Sequence, residues 1–173
     1  GFAAFTLGSS PAYLRNNTKN IMFPYDQYRE HWIVGFIYDR VEGVEPEVAD
    51  LSMLDEIKPA IENIEVIVQE KWRIASDKPG SGNTANIGSV TSLEDLRNGT
   101  GTFTRFKHGE RVFEDYWRNF VTKRDAERAN MKQPFRDVEE YFAWRKRNRA
   151  ERVDLPNWLI DQLSAMGEAE DAT

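Results

Sequence analysis

Cysteine is absent from all 173 residues, which excludes a disulfide framework and any thiolate metal site. Histidine is almost as scarce. His31 and His108 are the whole supply, too few for a His-rich zinc centre, and neither sits in a catalytic pattern. No apolar run approaches the roughly 20 residues that a membrane-spanning helix requires. These absences point to a protein of a reducing compartment, cytoplasmic and without a membrane partner. Positive charge is also short overall. The formal net charge of −6 would weigh against a polyanionic partner if it were spread evenly.

It is not spread evenly. Between Asp39 and Glu70 stand ten acidic residues against Arg40 and Lys58, a local net of −8. Between Thr104 and Arg152 stand fourteen Lys or Arg against nine acids, a local net of +5. A polyanion senses the local field, because charges farther away than about 8–10 Å are screened at physiological salt. An acidic stretch before a basic one suits metal-dependent chemistry on DNA, and equally suits two solvated faces. Hydrophobic content of 40% with charged content of 30% is enough for a packed core, so wholesale disorder is excluded. Length and composition suggest one domain over residues 1–166 and a disordered tail over 167–173, “GEAEDAT”.

Periodicity divides the chain further. “HWIVGFIYDR” is nearly continuously apolar, and its β-branched and aromatic content predicts a central strand over Trp32–Tyr38, buried on both faces. “EVADLSMLDEIKPAIEN” spaces Val48, Leu51, Leu54, Ile57 and Ile61 as a helix, with Pro59 to end or kink it. “IEVIVQEKWRI” alternates as a half-buried strand with Ile64, Val66 and Val68 on one face. In “TSLEDLRNG”, Ser92 and Asp95 form a capping-box pattern and Gly99 suits the helix end. “TGTFTRF” reads as a short strand. Beyond it come helices: Val112, Phe113, Tyr116, Trp117, Phe120 and Val121 make one apolar stripe, Phe135, Val138, Tyr141 and Phe142 another, and “DLPNWLIDQLSAM” a last short helix. The fold class is therefore α/β or α+β, a mixed sheet flanked by helices with a helical C-terminal part.

Three features could carry chemistry. The first is “GSGNTANIGS”, Gly80–Ser89, a small, amide-rich loop after a strand. It lacks the Gly-Lys-Ser ending of a nucleotide-hydrolysing loop. Its glycines can form an anion nest, and Asn83 and Asn86 carry amides that can pair bidentately with adenine. Ser81, Thr84 and Ser89 add hydroxyls, and Lys71, Arg73 and Lys78 precede the loop as phosphate partners. A flexible surface connector has the same composition. The second is “VQEKW”. A metal-dependent nuclease needs carboxylates to hold Mg²⁺ and a lysine to polarise the attacking water, with acid and lysine two apart on one strand face. Gln69 and Lys71 stand at that spacing with Gln in place of the acid, and Asp39 is a possible first acid and metal ligand. A solvated strand face is the competing reading. The third is “WRKRNR”, where Arg145, Lys146 and Arg147 could track a phosphate backbone.

“YREHWIVGFIYDR”, “GNTANIGSV”, “LRNGTGTF” and “YWRNF”, all between Tyr28 and Phe120, resemble type II restriction endonucleases of the PD-(D/E)xK superfamily. The resemblance implies a restriction-endonuclease-like fold, Mg²⁺-dependent phosphodiester hydrolysis of double-stranded DNA, and a homodimer on a palindromic site. It also implies an acidic pair and a lysine upstream of Tyr28, yet “GFAAFTLGSS” holds neither acid nor lysine. Either the catalytic strand belongs to a portion preceding Gly1, with which this chain associates, or Gln69-x-Lys71 replaces it. The chain is thus expected to be a DNA-recognition part, the alternative being a non-enzymatic interaction module with an acidic face and aromatic helices.

Overall fold

The computed structural model describes residues 7, 28–45, 48–81, 84–149 and 156–170. They form two compact units, one of residues 33–68 and one of residues 1–32 with 69–173.

The smaller unit is a two-stranded sheet of β1 (Trp32–Arg40) and β2 (Ile61–Glu70). Asp39 accepts from the Asn63 amide at 2.9 Å, and a Cβ at Gly35 would lie 3.0 Å from Ile67. Partners fall in number along β2 as they rise along β1, so the strands are antiparallel. Alternation then places Trp32, Val34, Phe36 and Tyr38 on one face with Ile64, Val66 and Val68. All seven are more than half exposed, from 52% at Tyr38 to 63% at Phe36. The expectation that Trp32–Tyr38 is buried on both faces is therefore overturned. The inward position on β2 is Ile67, 6% exposed, and Ile64, Val66 and Val68 point the other way. Apolar content identifies a strand but not which face receives a second layer. The expected helix between the strands is only a 3-10 turn, Leu51–Glu56. Asp50 opens it by accepting from the Ser52 N–H at 3.1 Å, and Ile57 is already extended at φ −74°, ψ 125°. Six residues are far below the length at which a helix is stable without packing, and Leu51 and Leu54 stay 80% and 60% exposed.

The larger unit holds the core. Its sheet is an antiparallel hairpin, β3 (Ala75–Ser81) with β4 (Thr84–Ser89), in the register Ala75 to Ser89, Pro79 to Ile87 and Ser81 to Thr84, with irregularities between these pairs. Most of the amide-rich stretch, Thr84–Ser89, is thus a strand rather than a bare connector to a helix. The helices are α1 (Leu93–Asn98), α2 (Gly109–Asn119), α3 (Lys123–Arg128), α4 (Val138–Arg149) and α5 (Asn157–Glu170). Ser92 caps α1 as expected, accepting from the Asp95 N–H at 3.3 Å, while the Asp95 carboxylate accepts from the Thr100 hydroxyl at 2.7 Å, and Gly99 ends α1 at φ +63°. “TFTR”, expected as strand, is a 3-10 turn at Thr102–Arg105. The long stripe after His108 breaks at Phe120, because Thr122 caps a new helix by accepting from the Asp125 N–H at 3.1 Å. α5 continues through Gly167 to Glu170, where a disordered tail was expected.

Aromatic rings fill the core. Tyr116 lies 5.0 Å from Phe135 and 5.5 Å from Tyr141, centroid to centroid, and Phe103 5.4 Å from Phe113. Tyr116, Trp117, Phe103 and Tyr141 are fully buried. Each such side chain contributes about 1.5–3 kcal/mol on leaving water. The hairpin's base joins this core through Ile74, Ala75 and Ile87, all 0% exposed.

Candidate nucleic-acid interface

The hairpin is narrow where it leaves the core. A Cβ at Gly88 would lie 2.6 Å from the Lys78 carbonyl and 3.2 Å from the Gly80 Cα, so only glycine permits this approach of the two strands. Leu7 donates its N–H to the Ile87 carbonyl at 2.9 Å and extends the pairing on the outer side of β4. Asn86 is half-buried, one residue outside Ile87. Ser81 and Thr84 form the last pair of the described ladder. Asn83 lies outside the described residues. Ser89, expected as a DNA contact, is 3% exposed, and its Oγ donates to the Val90 carbonyl at 2.9 Å. Its place beside Ala75 at the hairpin base turns it inward, away from any external ligand.

One residue group fixes the hairpin against the helices. The Asp77 carboxylate accepts from the Val138 N–H at 3.1 Å, at the first residue of α4. Asp137 caps the same helix by accepting from the Glu140 N–H at 2.9 Å. The Tyr116 hydroxyl, deep in the core, donates to the Asp77 carbonyl at 2.7 Å. Burial, first, and the Asp77 and Asp137 charges push this phenol well above its ordinary range. Lys78 lies 3.5 Å from Asp137 and donates to the Arg136 carbonyl at 3.3 Å, while its side chain stays 55% exposed. Sequence reasoning missed Asp77 and Tyr116 as hairpin supports.

The other cations differ in availability. Arg145 donates its Nε to the Asp115 carboxylate at 2.9 Å, its Nη2 makes a second short bond there, and Tyr141 donates its hydroxyl to the same oxygen. Arg145 is thereby held in a half-buried internal pair and is not a phosphate contact. Lys146 and Arg147, on the same helix, are exposed. Arg73 stacks over Trp72 at 5.3 Å and lies 4.0 Å from Glu70.

The expected catalytic spacing serves structure instead. The Gln69 amide donates to the Arg97 carbonyl at 2.6 Å, stapling the end of α1. Lys71 is 3% exposed, and burial lowers its ammonium to a pKa of about 8. It lines a small pocket with Glu30, His31, Glu70, Glu110 and Glu114. Burial raises the Glu114 and Glu110 carboxyls, and the neighbouring carboxylates raise Glu110 further. Asp39 sits in the smaller unit, bonded to Asn63. Among the described residues no group of three or more His, Asp or Glu side chains is placed to hold a metal ion. Gln69, bonded to a main-chain carbonyl, and Lys71, a buried ammonium, bring no carboxylate, so this pair by itself does not fit a Mg²⁺ site.

Residues 2–146 match the family model of the restriction endonuclease EcoRV, a span that takes in the hairpin and its supports. The chain belongs to the EcoRV restriction endonuclease family. Its mixed α+β architecture agrees with that fold. The type II restriction enzyme EcoRV of Escherichia coli is 40% identical over 148 residues, which are 84% of this chain and 57% of that protein. The chain thus spans little more than half the length of the curated relative it matches. The EcoRV family match ends at residue 146, inside α4, so α5 lies beyond it. No helix among the described residues is long and apolar enough to cross a membrane.

Proposed function

We propose that this chain is the DNA-recognition portion of a type II restriction endonuclease. It reads base edges in double-stranded DNA from the tip of the β3–β4 hairpin and holds phosphates with flanking cations. One observation carries the reading: the family match spans the amide-rich β3–β4 hairpin, whose base is anchored in the core. Asn83, Thr84, Asn86 and Ser81 are the base-reading residues, since small amide and hydroxyl side chains can present paired donors and acceptors in a major groove. Lys78, Arg73, Lys146 and Arg147 are the phosphate partners. Sequence-specific, metal-dependent phosphodiester cleavage, with Mg²⁺ as the metal and a homodimer on a palindromic site, is the activity of the whole enzyme. No catalytic step is assigned to Gln69, Lys71 or Asp39.

The interaction-module reading loses its main support, because the aromatic stripes of α2 and α4 are buried in the chain's own core. Retention on immobilised duplex DNA as a function of salt tests the proposal. A steep linear fall of log affinity with log salt is expected, with a slope of about −0.9 per phosphate neutralised. A flat profile at low salt would refute it.

A further inference from the structure

We propose that Asp77 and Tyr116 are positioning residues that set the angle of the β3–β4 hairpin, and through it the hairpin's sequence discrimination. The inference rests on the recognition reading above and deepens it. The hairpin's pairing is irregular on both sides of Pro79, so its own ladder does not hold it straight. Something outside the ladder must fix the direction in which β3 runs. Two bonds converge on Asp77, four residues before Ser81. Its side chain accepts from the first N–H of α4, 61 residues away in sequence, and its main-chain carbonyl accepts from Tyr116 on α2, 39 residues away. One residue of β3 is thus tied to two helices by two different atoms, which removes both sliding and rotation of the strand.

The ties are stiff. The Asp77 side chain is only 13% exposed, and Tyr116 is fully buried against Phe135 and Tyr141. Lys78 adds a weaker, solvent-exposed link to Asp137 at the same helix end. A bidentate contact with a base edge tolerates little misplacement, so a hairpin free to rock loses discrimination before it loses non-specific attraction. That separation of effects marks a positioning role and differs from a phosphate contact, whose loss weakens all sequences alike.

The experiment uses the 173-residue chain, with sequence preference first found by selection from a randomised duplex pool. Affinity for the selected duplex is then compared with a scrambled duplex for wild type, Tyr116→Phe, Asp77→Ala and Asp77→Asn. Tyr116→Phe and Asp77→Ala are expected to lower the selected-to-scrambled ratio about tenfold. They should leave the salt slope on the scrambled duplex unchanged and speed hydrogen exchange of the hairpin amides. Asp77→Asn keeps an acceptor for the Val138 N–H and should restore most of the ratio. Both variants keeping the wild-type ratio, with the fold intact by circular dichroism, overturns the inference alone. A wild-type chain without any preferred sequence overturns the recognition reading and the inference together.

Discussion

Replacing Lys71 by Met removes a buried amine while keeping most of its stem, and the consequence is a change in how stability depends on pH. In the unfolded chain the amine titrates near 10.5, and in the folded chain near 8 because burial disfavours the charged form. Below about pH 8 both states are protonated and the folded state carries the full cost of the buried charge. Between these two values the unfolded state binds more protons, so stability rises with pH. From about pH 7.5 to about pH 9.5 the wild type should gain about 2 kcal/mol relative to Lys71→Met. The tyrosines are common to both proteins and cancel in the comparison, including Tyr116 and Tyr141, whose phenols burial pushes upward. Urea denaturation at the two pH values, followed by tryptophan fluorescence, measures the difference as a midpoint shift of about 1 M. Parallel pH profiles for the two proteins would show that the amine is wet in solution. That result would restore Lys71 as a candidate for chemistry.

Asp115→Ala should cost about 2–4 kcal/mol in the same assay, because Arg145 and Tyr141 lose their shared acceptor in a half-buried site; a cost below about 0.5 kcal/mol contradicts the network. Gly88→Ala places a methyl 2.6 Å from the Lys78 carbonyl, so the hairpin should open, with loss of exchange protection at its base and of DNA discrimination. Protection equal to wild type would mean the strands can part cheaply there. Lys146→Ala and Arg147→Ala should each reduce the salt slope of DNA binding by about one and leave sequence preference intact. Titration of the single variants against 50–200 mM salt checks this, and a changed preference would move these residues to the base-reading group.

Local grammar was legible in the sequence where a few neighbouring residues decide the outcome. Ser92, Asp95 and Gly99 announced α1 from both ends, and the stripe through Val112, Tyr116 and Trp117 announced the core face of α2. The hairpin was not legible, since its glycines and asparagines are what a loop also uses, and only the burial of Ala75 and Ile87 makes strands of its arms. The burial of β1 was misjudged because a run of apolar residues does not say which faces are covered. Asp77 stayed hidden for another reason: its partners are 39 and 61 residues away, and no spacing rule reaches that far. Lys71 and Gln69 show the reverse fault, a correct strand spacing taken for chemistry when one side chain is buried and the other caps a helix.

The hairpin with its narrow waist at Gly88 carries two kinds of inheritance. On both sides of it, Ala75 and Ile87 answer to the core, as does Ile74, and substitutions there are paid in folding free energy. Farther along, Ser81 and Thr84 close the ladder. Under the proposed recognition role, a lineage built on this base acquires a new target sequence by changing a handful of codons in the hairpin. The scaffold need not be re-evolved each time, and closely related chains can share a fold while reading different DNA.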